Sequence, residues 1–172
     1  MPAGDTLQLT PGETVTIVSS TPDALVVEAT YGHSRRPPPM HTHPAQDEHF
    51  EVLEGTLSVR YGRERAELAA GETLDIPARV AHQMHNPSET RARVRWTTTP
   101  AGRTEDWFRA IDALVGESAP DEPSALGFAV LLDEFSDTFR LAVAPYALTV
   151  PVVKVIAGAG KLRGHRPGGS AD

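Results

Sequence analysis

Residues 40–55 read MHTHPAQDEHFEVLEG and place three histidines and three carboxylates within the first twelve positions. His41 and His43 are separated by one residue, so a β-strand would project both imidazoles from the same face. Glu48 follows His43 after the four residues PAQD, which are enough for a turn or bulge that returns the carboxylate to the same site. The stretch therefore predicts that these three side chains converge on one polar site.

A fourth candidate for this site, His82, lies well downstream of the stretch. A strand around His82 could deliver its imidazole from the opposite side. Three imidazoles and one carboxylate suit a single divalent first-row transition metal ion, whether Fe, Mn, Ni, Zn or Cu. Four protein ligands in octahedral geometry leave two positions for water, dioxygen or a chelating substrate. We therefore predict one divalent transition metal ion as cofactor, held by His41, His43, Glu48 and His82.

The spacing of these residues resembles two sequence motifs of the cupin superfamily. The first motif is matched by His41-Thr-His43, four residues, Glu48, six residues and Gly55. The second is matched by Gly71, Pro77, His82 and Asn86. The chain departs from the second motif at Arg79, where the family pattern has glycine.

This resemblance covers roughly residues 14–99, and the short segment between the motifs resembles small single-domain bacterial cupins of the type-2 kind. It implies a jelly-roll β-barrel, or double-stranded β-helix, with the metal at its centre and often a homodimer. The tail beyond the barrel is similar to the C-terminal helical extension of a group of small bacterial cupins.

The pattern of the first hundred residues independently favours an all-β domain. Strand-like runs with β-branched or alternating apolar residues occur at 14–18, 24–31, 50–62, 72–77 and 92–99. Glycine, proline and asparagine separate these runs at short intervals, as in an antiparallel sandwich or barrel.

The pattern changes near Pro100, so we predict a barrel domain over 1–100 and a C-terminal extension of about three helices over 101–172. Thr104 starts a helix with apolar residues at the spacing of one helical face. A second helix is expected from Ser124 to Pro145, with Phe139 and Ala142 on its apolar face. A third is expected at about 149–162.

Composition excludes several classes of site. Cysteine is absent, so disulfides and thiolate metal sites are excluded, and a net charge of −7 argues against a nucleic-acid surface over the whole domain. The N-terminus has neither a basic start nor an apolar run, and no segment reaches the length of a membrane span. The expected location is the cytoplasm, and the expected partner is a small molecule.

Other residues of the stretch have predicted roles. Strand alternation directs Asp47, His49 and Glu51 away from Glu48 and its site. Candidate substrate-binding residues are Gln46, Phe50, Arg79 and Met84. Glu48 is also the candidate catalytic base, if it loosens from the metal when substrate binds.

Three functions remain open at this point. The first is an enzyme of the dioxygenase or oxidoreductase type that acts on a small organic molecule at the metal. The second is a metal-dependent isomerase, cyclase or lyase, including a sugar-phosphate isomerase if Arg60 or Arg79 pointed into the barrel. The third is a small-molecule-binding cupin without catalysis.

Overall fold

The computed structural model describes residues 4–117, 125–142 and 146–162. The strands are β1 Thr6–Thr10, β2 Glu13–Ser20, β3 Leu25–Tyr31, β4 His41–Thr42, β5 Asp47–Glu54, β6 Thr56–Tyr61, β7 Glu64–Ala69, β8 Thr73–Ile76, β9 His82–His85, β10 Ala92–Thr99 and β11 Arg140–Leu141. The helices are α1 Thr104–Glu117, α2 Ala125–Glu134 and α3 Tyr146–Leu162.

The strands form two facing sheets, which confirms the predicted jelly-roll barrel with a helical extension. One sheet has the order β1-β2-β3-β10-β5-β8 and the other β11-β4-β9-β6-β7. Neighbouring strands within these sheets pair antiparallel, as predicted. Alternate residues of β3 and β10 are buried between the sheets, because successive side chains of a strand point to opposite faces.

Gly55 and Arg79 are among the turn positions of the barrel that have a positive φ. Gly55, between β5 and β6, has φ 77°, and a Cβ added there would stand 2.6 Å from the Arg91 carbonyl oxygen. Only glycine combines a positive φ with the absence of a Cβ, so it fits this position without strain. Arg79 has φ 69°, which explains why the cupin pattern has glycine here.

Helix α1 begins at Thr104, as predicted, and packs its apolar face against the barrel. Its buried residues include Trp107, Phe108 and Ile111. Glu105 and Asp106 occupy the first turn, where the helix dipole favours negative charge.

The second predicted helix is wrong in its extent, because α2 ends at Glu134 rather than near Pro145. The chain turns after Phe135, and residues 140–141 form β11, which pairs with β4. Phe139 therefore lies outside α2, and its ring packs against Trp107 and His41. Contacts with the barrel override the local helical periodicity here. Helix α3 matches the third prediction and begins three residues earlier.

Among the described residues, no helix combines the length and the apolar character that crossing a membrane requires.

Candidate metal centre

The four predicted ligand residues lie between the two sheets. His41 is in β4 and His82 in β9, where the two residues are paired in register. His43 follows β4, and Glu48 comes from β5 in the opposite sheet. His43, Glu48 and His82 are buried, and His41 is half-buried. The fold thus brings together residues that are up to 41 positions apart in sequence.

The three imidazoles form a cluster that could hold a metal ion, with one ring nitrogen of each within 4.8 Å of the others. Each Nδ1 faces a backbone carbonyl oxygen. The distances are 3.0 Å from His41 to Pro39, 2.8 Å from His43 to Thr138 and 3.0 Å from His82 to Val80. A carbonyl only accepts, so each Nδ1 donates. The neutral rings therefore carry their lone pairs on Nε2, the arrangement typical of metal-binding histidines.

The Glu48 carboxylate lies against two of these rings. Its Oε2 is 2.9 Å from Nε2 of His82, and its Oε1 is 3.2 Å from Nε2 of His43. Trp96 donates its indole N–H to Oε1 at 3.1 Å. Nε2 of His43 and Oε2 of Glu48 are buried without a regular hydrogen bond. This collection of acceptor atoms facing one another fits a bound cation, which would satisfy all of them at once.

The electrostatics of the cluster favour neutral imidazoles at His41 and His43. Burial, with repulsion from His82 and His43, lowers the pKa of His41 to about 3. Burial also lowers the pKa of His43, although the nearby Glu48 carboxylate opposes the shift. Neutral rings at neutral pH are the form that binds a metal.

His82 and Glu48 stabilise each other's charged forms. Burial lowers the pKa of His82, but the adjacent Glu48 carboxylate and the Val80 carbonyl together outweigh burial, so the pKa is raised. Burial would likewise raise the pKa of Glu48, yet His43 and His82 together lower it. The lowered pKa of Glu48 favours its anion, and the raised pKa of His82 favours the protonated ring beside that anion.

A cavity of about 170 Å³ opens beside the imidazole cluster. A cavity of similar size, about 150 Å³, accommodates a benzene molecule. The lining is largely apolar and includes Phe50, Met84, Trp96, Trp107, Phe108 and Phe139. Among the described residues, no lysine or arginine lines it.

The helical extension forms part of the wall of this cavity. Phe139 stacks on the His41 ring with 4.5 Å between centroids and on Trp107 with 4.7 Å. The carbonyl of the preceding Thr138 accepts the hydrogen bond from His43. Residues of the extension therefore both line the cavity and orient one imidazole.

The predicted substrate-binding residues have different surroundings. Phe50 and Met84 line the cavity. Gln46 is buried next to the start of α1, where its amide nitrogen is 3.2 Å from the Thr104 hydroxyl. Arg79 is exposed, and its Nε donates to the Pro44 carbonyl at 3.2 Å. Gln46 and Arg79 are not among the residues lining the cavity, and Arg60 is exposed.

The neighbours of Glu48 face outward, as strand alternation predicts. The Asp47 carboxylate accepts from the Ala78 amide at 2.7 Å. His49 pairs with Asp75 at 2.6 Å. Glu51 pairs with Arg95 at 3.2 Å on the same outer surface.

Sequence reasoning missed two titratable residues of the cavity, Glu13 and Tyr31. Glu13 begins β2 and alternates with buried Val15 and Ile17, so it shares their inward face. This alternate spacing could have indicated that Glu13 faces inward. However, acidic residues are depleted in strands, so Glu13 would be assigned to the preceding turn.

The comparisons with known proteins agree with this architecture. The sequence model of the family described as "Cupin domain" matches residues 27–98. No curated protein matches the chain.

Three solved structures share the barrel. KdgF from Halomonas sp. has a TM-score of 0.53 and 21% identity, over 59% of this chain and 92% of that one. An RmlC-like cupin from Shewanella frigidimarina has a TM-score of 0.54 and 19% identity, over 59% and 88%. A Thermus thermophilus protein has a TM-score of 0.50 and 26% identity, over 55% and 90%. Residues 27–98 of this chain therefore match the sequence model of the cupin domain, and the C-terminal helices lie outside the matched region.

Proposed function

We propose that this protein is a mononuclear, divalent-metal-dependent cupin that oxygenates a small organic molecule able to chelate the metal. The observation that carries the proposal is the orientation of the three imidazoles. Backbone carbonyls hold the hydrogen of each neutral ring on Nδ1, which leaves Nε2 available to a metal, and one nitrogen of each ring lies within 4.8 Å of the others. His41, His43, His82 and Glu48 are the residues that would hold the ion.

A bound first-row metal would supply Lewis acidity and, for a redox-active ion, a site for dioxygen. Side chains of the protein would bind the substrate and position the metal-binding residues. Phe139 and α1 line the cavity with apolar side chains, which favour an apolar substrate body over water next to the cluster. Phe50, Met84 and Trp96 form an apolar surface that an aromatic or short aliphatic body would contact. Trp96 also holds the Glu48 carboxylate in place through its indole N–H.

Cavity size and charge restrict the substrate class. A volume of about 170 Å³ suits a molecule of about the size of a simple aromatic ring with a few substituents. The lining contributes neither lysine nor arginine within the described residues, whereas a phosphate group is usually bound by such cations. We therefore propose a small catechol or diketone rather than a sugar phosphate.

A second function, metal-assisted isomerisation, cyclisation or lyase chemistry, is favoured by one observation. Glu13 lines the cavity separately from the metal-binding cluster, and such reactions need an acid or base positioned beside the substrate. Product analysis under anaerobic conditions distinguishes it from oxygenation, because only oxygenation consumes dioxygen.

The proposal predicts oxygen uptake by protein that has been loaded anaerobically with Fe(II) and then given a small catechol or acetylacetone. We expect a rate at least about tenfold above that of His82→Ala treated in the same way, because the variant lacks one imidazole. A flavonol, too large for the cavity, and a sugar phosphate should produce no uptake. An oxygen electrode provides the measurement.

Absence of uptake with every small chelator would contradict the oxygenase proposal. If the same molecules raised the unfolding temperature of the metal-free protein, a binding module without catalysis would replace it.

We further propose that residues 1–100 are the barrel domain and residues 101–172 an extension that completes its cavity, in a cytoplasmic homodimer. Side chains of α3 that remain exposed, Val155 at 74% and Leu162 at 91%, support an apolar contact between protomers. Light scattering should give twice the chain mass of 18.5 kDa, and the single mass would contradict the dimer.

A further inference from the structure

Glu13 is an acidic residue on an otherwise apolar inward face. On β2 it precedes Val15 and Ile17, which are 0% and 1% exposed, at alternate positions. Its register partner on β3 is Tyr31, which is buried. The Tyr31 phenol lies beside the Glu13 carboxylate and lowers the pKa of that carboxyl group. Both residues line the cavity that contains the imidazole cluster, so a substrate there would have Glu13 within its reach.

The two carboxylates of this region have different surroundings. Glu13 lines the cavity and is the only carboxylate to do so among the described residues. Glu48 is absent from that lining, and both of its oxygens are engaged by His43, His82 and Trp96. Glu48 is thus committed to the metal centre, whereas Glu13 is available to a molecule in the cavity.

The surroundings of Glu13 suit proton exchange. Burial raises the pKa of Glu13 to about 7, against the lowering effect of the Tyr31 hydrogen bond. Burial and the neighbouring carboxylate raise the pKa of Tyr31 well above its usual value, so the phenol remains a donor. The other titratable groups around the cavity are the three imidazoles, and α1 contributes only apolar residues to it. A carboxyl group of this kind exchanges protons near neutral pH.

We propose that Glu13 is the proton acceptor for the substrate in this cavity, held in position by Tyr31. The inference rests on the proposed function. As the substrate binds, its hydroxyl O–H bond breaks and the proton forms a new O–H bond on a Glu13 carboxylate oxygen. The substrate is left as an anion, with its electron pair available for the metal centre. No oxidant or reductant takes part in this step, and a later proton transfer from Glu13 to product restores the carboxylate.

The first test examines Glu13 without metal or ligand. Infrared spectra of the wild type should show a protonated-carboxyl band that titrates with a midpoint near pH 7. The band should be missing in Glu13→Gln and unchanged in Glu67→Gln, a control at an exposed position of β7. In Tyr31→Phe the midpoint should move upward, because the hydrogen bond that favours the anion is lost. A band that persists in Glu13→Gln would overturn the proposal.

The second test uses catechol as the probe with zinc-loaded protein, so that no oxidation accompanies binding. Calorimetry at pH 8 in two buffers of different ionisation enthalpy counts the protons released to solvent. The wild type should release about one proton fewer per catechol than Glu13→Gln, because Glu13 retains it. We also expect Glu13→Gln to bind catechol at least about tenfold more weakly, while its zinc affinity is unchanged.

The outcomes separate the two proposals. If catechol does not bind to the metal-loaded wild type, the proposed function fails and this inference fails with it. If catechol binds and the two proteins release equal numbers of protons, the proposed function survives and the role of Glu13 is overturned.

Discussion

Replacing His82 with alanine is expected to weaken metal binding by at least about 100-fold. Loss of a residue that only supports a metal ligand costs about 10- to 100-fold in affinity, and loss of the ligand itself should cost more. The substitution also leaves the buried Glu48 carboxylate without its 2.9 Å partner. Competition with a coloured chelator gives the affinity, and mass spectrometry of the metals in the purified protein gives the content.

His85→Ala is the matched control for this prediction. His85 lies on the same strand, β9, but is half-buried where His82 is buried, because its position alternates with that of Met84. Its loss should leave metal affinity within about twofold of wild type, since surface changes away from a site have small effects.

His41→Ala serves as a second variant, because it keeps both contacts between Glu48 and its imidazole partners. It should also lower metal affinity by at least about 100-fold, for the reason given for His82. Wild-type affinity in both His82→Ala and His41→Ala, with folding verified by circular dichroism, would refute the assignment of the metal centre.

Gly55→Ala is expected to lower the free energy of unfolding by about 2–5 kcal/mol. A left-handed φ costs a residue with a Cβ about 1–2 kcal/mol, and forced overpacking adds about 1–3 kcal/mol. Both effects apply, because φ is 77° and the new Cβ would meet the Arg91 carbonyl oxygen at 2.6 Å. The obstacle is backbone at the start of β10, which cannot rotate aside as a side chain would. Urea denaturation monitored by tryptophan fluorescence measures the loss.

Gly62→Ala separates the two causes. Gly62 also has a positive φ, 55°, but nothing lies within 4 Å of an added Cβ. It should therefore show only the conformational cost of about 1–2 kcal/mol. Equal losses at the two positions would show that the close approach to Arg91 does not constrain the turn.

Much of the barrel could be predicted from the sequence, because the alternation of apolar residues that marks a strand is visible within a few neighbouring positions. Alternation of apolar residues along FEV and LSV locates β5 and β6 and orients their side chains, and the structure confirms that Glu48 faces inward while His49 faces outward. The spacing of His41, His43 and Glu48 similarly depends only on the geometry of a strand and a short turn.

The extension was harder to predict, because local periodicity there competes with contacts across the molecule. Residues 135–142 continue an apolar helical pattern, yet Leu141 pairs with His41 and Phe139 stacks on the same histidine. Such contacts join positions almost a hundred residues apart, and no local pattern records them. Gln46 was predicted to bind the substrate. Its amide contacts Thr104 on α1, and this long-range contact also leaves no trace in the local sequence.

By itself, the sequence determined the barrel class and the convergence of His41, His43 and Glu48, because strand alternation and turn chemistry act over a few residues. His82, 34 residues after Glu48, was expected from the spacing of the second motif that the chain resembles. Only the tertiary structure decided what surrounds that centre. It placed the Thr138 carbonyl against His43, stacked Phe139 on His41 and brought Glu13 to the cavity wall. These features arise where separate elements pack together, and packing depends on the shape of the whole folded chain.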